Sequence, residues 1–164
     1  MAENTSSRIA VLGLGGTIAM RSDGSGAVPA LTAEDLVESL PAEAAARIAH
    51  VENFRQVPGA HLELDDLVSL AERIRELAES GIANGVVVIQ GTDTIEETVF
   101  ALEILPHGDI PAVVTGAMRH AGQPGSDGAA NVAGAVITAA SAEAAAHGAL
   151  VSFNDEIHAA WAVQ

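Results

Sequence analysis

A chain of 164 residues sets the default at one domain, large enough to bury a sizeable core. Its formal net charge of −15, with seven basic residues against 22 acidic ones, argues against nucleic acid and anionic membranes as partners, since both need clustered basic side chains. Cysteine is absent, which removes disulfides, thiolate nucleophiles and zinc–thiolate sites, and aromatics are only 2%, so the core has to be Ala, Val, Leu and Ile. Met1 to Arg8 is polar and lacks the apolar centre of a signal peptide. No apolar run approaches the roughly 18 to 20 residues of a membrane span. These features lead us to expect an acidic cytoplasmic protein.

In chain order, Ile9 to Leu14 reads as a buried strand ending at Gly15-Gly16-Thr17, and Arg21 to Ala30, rich in Gly and Ser, as a loop. Thr32-Ala-Glu-Asp35 forms a capping-box pattern that opens a helix through Leu40. The Ala-rich stretches at 42–49 and 139–146 favour helix. A second strand follows at His50 to Phe54, then a loop over Arg55 to His61 with Pro58 and Gly59. From Leu64 to Glu79 the residues Leu64, Leu67, Val68, Leu70, Ala71, Ile74, Leu77 and Ala78 trace one helical face.

Val86 to Gln90 is an apolar strand of β-branched type, broken by Gly91 and followed by Thr92-Asp93-Thr94 and a helix from Ile95 to Leu105. Pro111 to Thr115 is a fourth strand, and Gly116 to Ser126 a loop. Ser126 or Asp127 caps a helix running through Ala140, and Ala149 to Phe153 is a fifth strand. Asn154 to Gln164 shows no clear closing element. Strands alternating with helices over short connections imply an α/β fold of three layers, a mostly parallel sheet with helices on both faces.

Open sheets of this kind place chemistry outside the carboxyl ends of their strands, and two such corners stand out. At the first, Gly13-Leu-Gly-Gly-Thr17 fails the dinucleotide fingerprint because Ile18 stands where the third Gly is needed, and fails the P-loop because no Gly-Lys-Ser/Thr follows. What remains is a glycine turn presenting the Thr17 hydroxyl. At the second, Thr92, Asp93 and Thr94 read most simply as helix caps from local pattern alone. If the two strands are parallel neighbours, Thr17 and Thr92 share one sheet edge. Two hydroxyls and a carboxylate there make an acyl-transfer arrangement, with helix-terminal N–H groups suited to a developing anion. The six histidines (His50, His61, His107, His120, His147 and His158) show no metal-ligand spacing, and Glu96 and Glu97 suit the helix dipole.

Four segments together resemble the bacterial-type L-asparaginases, the asparaginase/glutaminase family. They are Leu14-Gly-Gly-Thr-Ile-Ala19, Gln90-Gly-Thr-Asp-Thr-Ile-Glu-Glu-Thr98, Val114-Thr-Gly-Ala-Met-Arg119 with Ser126-Asp-Gly-Ala-Ala-Asn131, and Asn154-Asp-Glu-Ile-His158. The resemblance implies hydrolysis of the side-chain amide of L-asparagine to aspartate and ammonia, with no metal and no organic cofactor. It also implies Thr17 as nucleophile, and Thr92 and Asp93 as members of a Thr-Asp-Lys proton-handling set. Asp93 further becomes the partner of the substrate α-ammonium, and Ala117 a backbone contact to the amide. Gly91 and Gly59 complete the substrate-binding set, Gly59 standing where the family carries a Ser.

The chain departs from the family pattern in having no tyrosine and no lysine, and in ending at Trp161-Ala-Val-Gln164, one position before the expected lysine. It is therefore expected to be a single N-terminal-type domain over 1–164 without the family's smaller C-terminal domain, and to self-associate as a homo-oligomer. Two alternatives stay open. One is a non-catalytic or weakly active member that binds an acidic or amide amino acid, and the other an amidase for glutamine or another small amide.

Overall fold

A computed structural model describes residues 7–16, 20–22, 27–29 and 32–163. The sheet has six strands in the order β4-β1-β5-β6-β7-β8. In chain order the elements are β1 (Ile9–Gly13), a small hairpin of β2 (Met20–Ser22) and β3 (Ala27–Pro29), α1 (Ala33–Glu38), α2 (Ala42–Ala45) and β4 (Ile48–Asn53). They continue with α3 (Leu64–Glu79), β5 (Gly85–Ile89), α4 (Ile95–Ile104), β6 (Ala112–Thr115), α5 (Gly128–Ala139), β7 (Ala149–Phe153) and β8 (Glu156–Ala159). The strands β4, β1, β5, β6 and β7 are mutually parallel and β8 is antiparallel to β7. The expected three-layer α/β arrangement is the one observed.

The period of two along each strand divides the core. Val11, Val87 and Val113 point to the face covered by α1, α2 and α5, through Leu36, Ala44, Val132 and Val136. Leu12, Val88 and Val114 point to the other face, where α3 and α4 supply Leu70, Ile74, Leu77, Val99 and Leu102. Both faces being covered explains why β1, β5 and β6 are buried at every residue and read as continuous apolar runs.

Two consequences of this topology matter for function. From β1 the chain leaves toward β4 on the α1 face, whereas from β5 it leaves toward β6 on the α4 face. The chain thus leaves β1 and β5 toward opposite faces of the sheet, which marks a topological switch point between them. Second, α5 lies on the same face as α1 although the β6-to-β7 step runs opposite to the β1-to-β4 step. The β6–α5–β7 crossover thus takes the hand opposite to the other crossovers, against the strong single-hand preference of such units.

Several boundaries differ from expectation for identifiable reasons. The stretch Arg21 to Ala30, expected to be a loop, includes the β2–β3 hairpin, paired through Arg21 and Val28. The Ala-rich 42–49 segment gives only the short α2 before β4 takes Ile48 and Ala49, because pairing with β1 outweighs helix propensity. Likewise 139–146 carries only the end of α5 and the start of a 3₁₀ turn over Ala144–His147. On α3 the face is narrower than its periodicity implied: Leu64 is 70% exposed and Val68 is 37% exposed. The Thr32 capping box forms as expected, with the Thr32 amide donating to Asp35 Oδ2 at 2.8 Å.

The tail holds the strand that sequence pattern missed. Asn154 and Asp155 take φ of 52° and 63°, a two-residue primed turn between Phe153 and Glu156. Asn-Gly is the usual signal for this turn and Asn-Asp a weak one. Asp155→Gly is accordingly expected to stabilise the fold by about 0.5 kcal/mol, a rise of roughly 1–2 °C in Tm on thermal unfolding.

Candidate active site

At the carboxyl ends of β1, β5 and β6, Gly13, Ile89 and Thr115 stand in register. The chain then turns at Gly16, Gly91 and Gly116. Gly16 has a φ of +87°, and a Cβ there would run into the backbone of Gly91, so the β1 and β5 loops touch main chain to main chain. A Cβ on Gly116 would lie 3.3 Å from the Thr92 methyl carbon, which places the β6 loop against the same corner. Small residues at these strand ends are what let three loops converge.

Thr92, Asp93 and Thr94 form a single 3₁₀ turn before α4, and none of them caps that helix with its side chain. The capping role that local pattern favoured is not the one observed. Asp93 instead reaches across to the loop after β4, where its Oδ2 accepts a hydrogen bond from the Ala60 amide at 3.0 Å. Gly59 is pressed so closely to the Asp93 carboxylate that a Cβ there would overlap it. A side chain at this position would require the Asp93 carboxylate to shift. Among the described residues the Thr92 hydroxyl makes no hydrogen bond. The structure thus brings Gly59, Gly91, Thr92 and Asp93 together, with Ala117 on the adjoining turn. Thr17 lies outside the described residues.

Beneath this corner sits a residue the sequence reading passed over. Gln90 is fully buried, and its Nε2 donates to the Gly91 carbonyl and the Thr94 hydroxyl, each at 3.3 Å. Among the described residues its Oε1 has no partner, an uncommon state for a buried polar atom. A single polar residue ending an otherwise apolar buried strand was the available signal. The β6 loop is held by Asp127 and Asn131. Burial opposes ionisation of Asp127, but hydrogen bonds from the Met118 and Arg119 amides and from Asn131 outweigh it, so its pKa lies below the usual carboxylate value. Asp127 occupies the N-cap position before α5, as expected, yet its side chain does not bond that helix's N-terminal amides.

Next to Thr92 and Asp93 opens a cleft of about 320 Å³, walled by Ile95, Glu96, Met118, Phe153 and His158. That volume suits a small ligand of the size of an amino acid. His158 pairs with Glu156 at 3.3 Å on the exposed strand β8. A carboxylate fixed on a rigid corner can hold an ammonium group, and a free threonine hydroxyl beside it can donate to or take part in proton transfer. Among the described residues no group of three or more His, Asp or Glu side chains is placed to hold a metal.

Residues 8–164 match the N-terminal domain of the asparaginase family. The glutaminase-asparaginase of Pseudomonas fluorescens biotype A is 36% identical over 160 residues, covering 91% of this chain and 42% of that protein. The L-asparaginase of Bacillus licheniformis is also 36% identical, over 92% of this chain and 47% of its own length. A crystal structure of a probable cytoplasmic L-asparaginase from Campylobacter jejuni superposes with a TM-score of 0.83 at 34% identity, over 94% of this chain and 48% of that one. The chain spans about half the length of these relatives. With a matching domain over residues 8–164 and a matching fold, the chain belongs to the asparaginase family, through its N-terminal domain.

Proposed function

We propose that this chain carries the substrate corner of an amidohydrolase that converts L-asparagine to L-aspartate and ammonia. The observation that carries the reading is the Asp93 carboxylate, fixed by the Ala60 amide at 3.0 Å beside Gly59, Gly91 and a Thr92 hydroxyl that makes no hydrogen bond among the described residues. In this reading Asp93 holds the α-ammonium of the substrate, and Gly91 and Gly59 leave room for its backbone atoms. The Ala117 main chain contacts the amide. The Thr17 hydroxyl attacks the amide carbon, and its proton passes by way of Thr92 to the departing nitrogen, which leaves as ammonia. Water then cleaves the ester formed on Thr17, releasing L-aspartate and restoring the hydroxyl. No metal or organic cofactor enters these steps.

All seven basic residues are arginines, so the lysine of the family's proton-handling set has no counterpart among the 164 residues. General-base assistance of that kind contributes about 10²–10⁴ in rate, so turnover by these residues alone is expected to be slow. The same observation favours a second reading, a module that binds aspartate or asparagine without hydrolysing it. Steady ammonia release from millimolar L-asparagine that disappears in both Thr17→Ala and Thr92→Ala supports hydrolysis. L-aspartate binding with no ammonia release selects the binding module, and parallel assays on glutamine and D-asparagine read the amide preference.

The likeness to the Campylobacter jejuni enzyme supports a cytoplasmic location. Self-association is supported by Phe100, Ile104, Ile157 and Trp161, each at least half exposed and apolar.

A further inference from the structure

Ala117 is bracketed on both sides by side chains from one helix. Asp127 Oδ2 accepts from the Met118 amide at 3.0 Å and Oδ1 from the Arg119 amide at 2.9 Å. One turn along α5, Asn131 is buried, and its Nδ2 donates to the Gly116 carbonyl and to Asp127 Oδ2, each at 3.0 Å. Its Oδ1 accepts from the Asn154 amide at 3.1 Å, at the primed turn that begins β8. Every polar atom of these two side chains is therefore spent on two backbone segments and on the bond between the two side chains.

The geometry of a trans peptide gives this a specific consequence. The Ala117 carbonyl shares a plane with the Met118 N–H and points the opposite way. Fixing that N–H on Asp127 aims the Ala117 carbonyl away from Asp127. In the same manner, fixing the Gly116 carbonyl on Asn131 sets the direction of the Ala117 N–H. Both peptide planes flanking Ala117 are set by two side chains, and neither plane belongs to a strand ladder. Helix α5 also enters the crossover of opposite hand, where the path of the β6 loop is not the one strand twist favours. A loop in that setting needs an anchor of its own.

We propose that Asp127 and Asn131 are positioning residues, a latch that orients the Ala117 peptide planes toward a bound amino acid and ties the β6 loop to the β7–β8 turn. The inference rests on the reading of Ala117 as a substrate contact. Its stake lies in geometry, so affinity has to fall further than stability alone explains. Neither side chain touches the reacting atoms.

The test compares Asp127→Asn and Asn131→Ala with Thr138→Val, a control on the same helix that removes only a local bond from the Thr138 hydroxyl to the Gly134 carbonyl. Amide hydrogen exchange of Met118 and Arg119 is measured by NMR, and L-aspartate affinity by calorimetry. Both latch variants are expected to speed exchange at the two amides at least tenfold and to weaken L-aspartate at least tenfold, with Thr138→Val near wild type in both. Wild-type exchange and affinity in either folded latch variant would overturn the proposal. If the wild-type chain itself binds no L-aspartate, the amide-binding reading fails, and the exchange rates alone decide the latch. Should Asn131→Ala not fold, Asp127→Asn carries the same comparison.

Discussion

Asp93→Ala is expected to reduce L-aspartate affinity by about 100-fold, and Asp93→Asn by about 10-fold, in calorimetric titrations at neutral pH. A hydrogen bond to a charged group contributes about 1.5–3 kcal/mol, which is roughly 10 to 150-fold in a binding constant. The two substitutions separate the two things this carboxylate does. Asn keeps an oxygen that can accept from the Ala60 amide, so it removes the charge facing an ammonium and spares the loop. Ala removes both and leaves the Gly59–Ala60 segment without its tie to the β5 corner. An equal, small effect from both substitutions would mean that Asp93 anchors a loop and faces no ligand.

Gly16→Ala is the second large effect, and it falls on stability. Its φ of +87° costs an L-residue about 1–2 kcal/mol, and the added Cβ would overlap the Gly91 backbone, which cannot move without displacing the Thr92–Asp93 corner. We expect a loss of at least about 3 kcal/mol by urea unfolding, a large share of the 5–15 kcal/mol typical of a domain. Gly81→Ala is the matched control. It has a φ of +70°, but its Cβ would meet no atom within 4 Å, so it should cost only about 1 kcal/mol. If the two substitutions cost the same, the contact between the β1 and β5 loops does not hold the corner together.

Much of the fold was legible because the period-two and period-3.6 patterns were strong. The α3 boundaries of Leu64 and Glu79 coincide with the apolar face that pointed to them, and β1, β5 and β6 are apolar throughout because both faces of the sheet are covered. Pattern failed where a third element decided the outcome. Ile48 and Ala49 sit in an Ala-rich segment of helical type yet join β4, since Ile48 pairs with Ile9 of β1 and Ala49 is taken up at a register shift in the same ladder. Phe153 to Ala159 forms a hairpin through an Asn-Asp turn that carries no glycine to announce it.

The site divides along similar lines. Thr92 and Asp93 were visible as polar residues at a strand end, but cap and ligand contact look alike in sequence. The Asp93 bond to Ala60, 33 positions away, shows that this carboxylate ties the loop after β4 and does not cap α4. Asn131 had a signal that went unused: an amide in the middle of an Ala- and Val-rich helix has to spend its hydrogen bonds somewhere when buried. The opposite hand of the β6–α5–β7 crossover has no sequence signature, because it depends on which face α5 covers.

The strand-end corner of Gly59, Gly91, Asp93 and Ala117 is proposed to receive an amide or acidic amino acid. Titrating ¹⁵N-labelled protein with L-aspartate and following backbone amide shifts tests it directly. Shifts concentrated at Gly59–Ala60, Gly91–Thr94 and Ala117–Arg119, saturating together and absent in Asp93→Ala, are the predicted result. Saturable shifts elsewhere, such as the cleft around Leu105 to Ile110 at the foot of α4, with this corner silent, would contradict it.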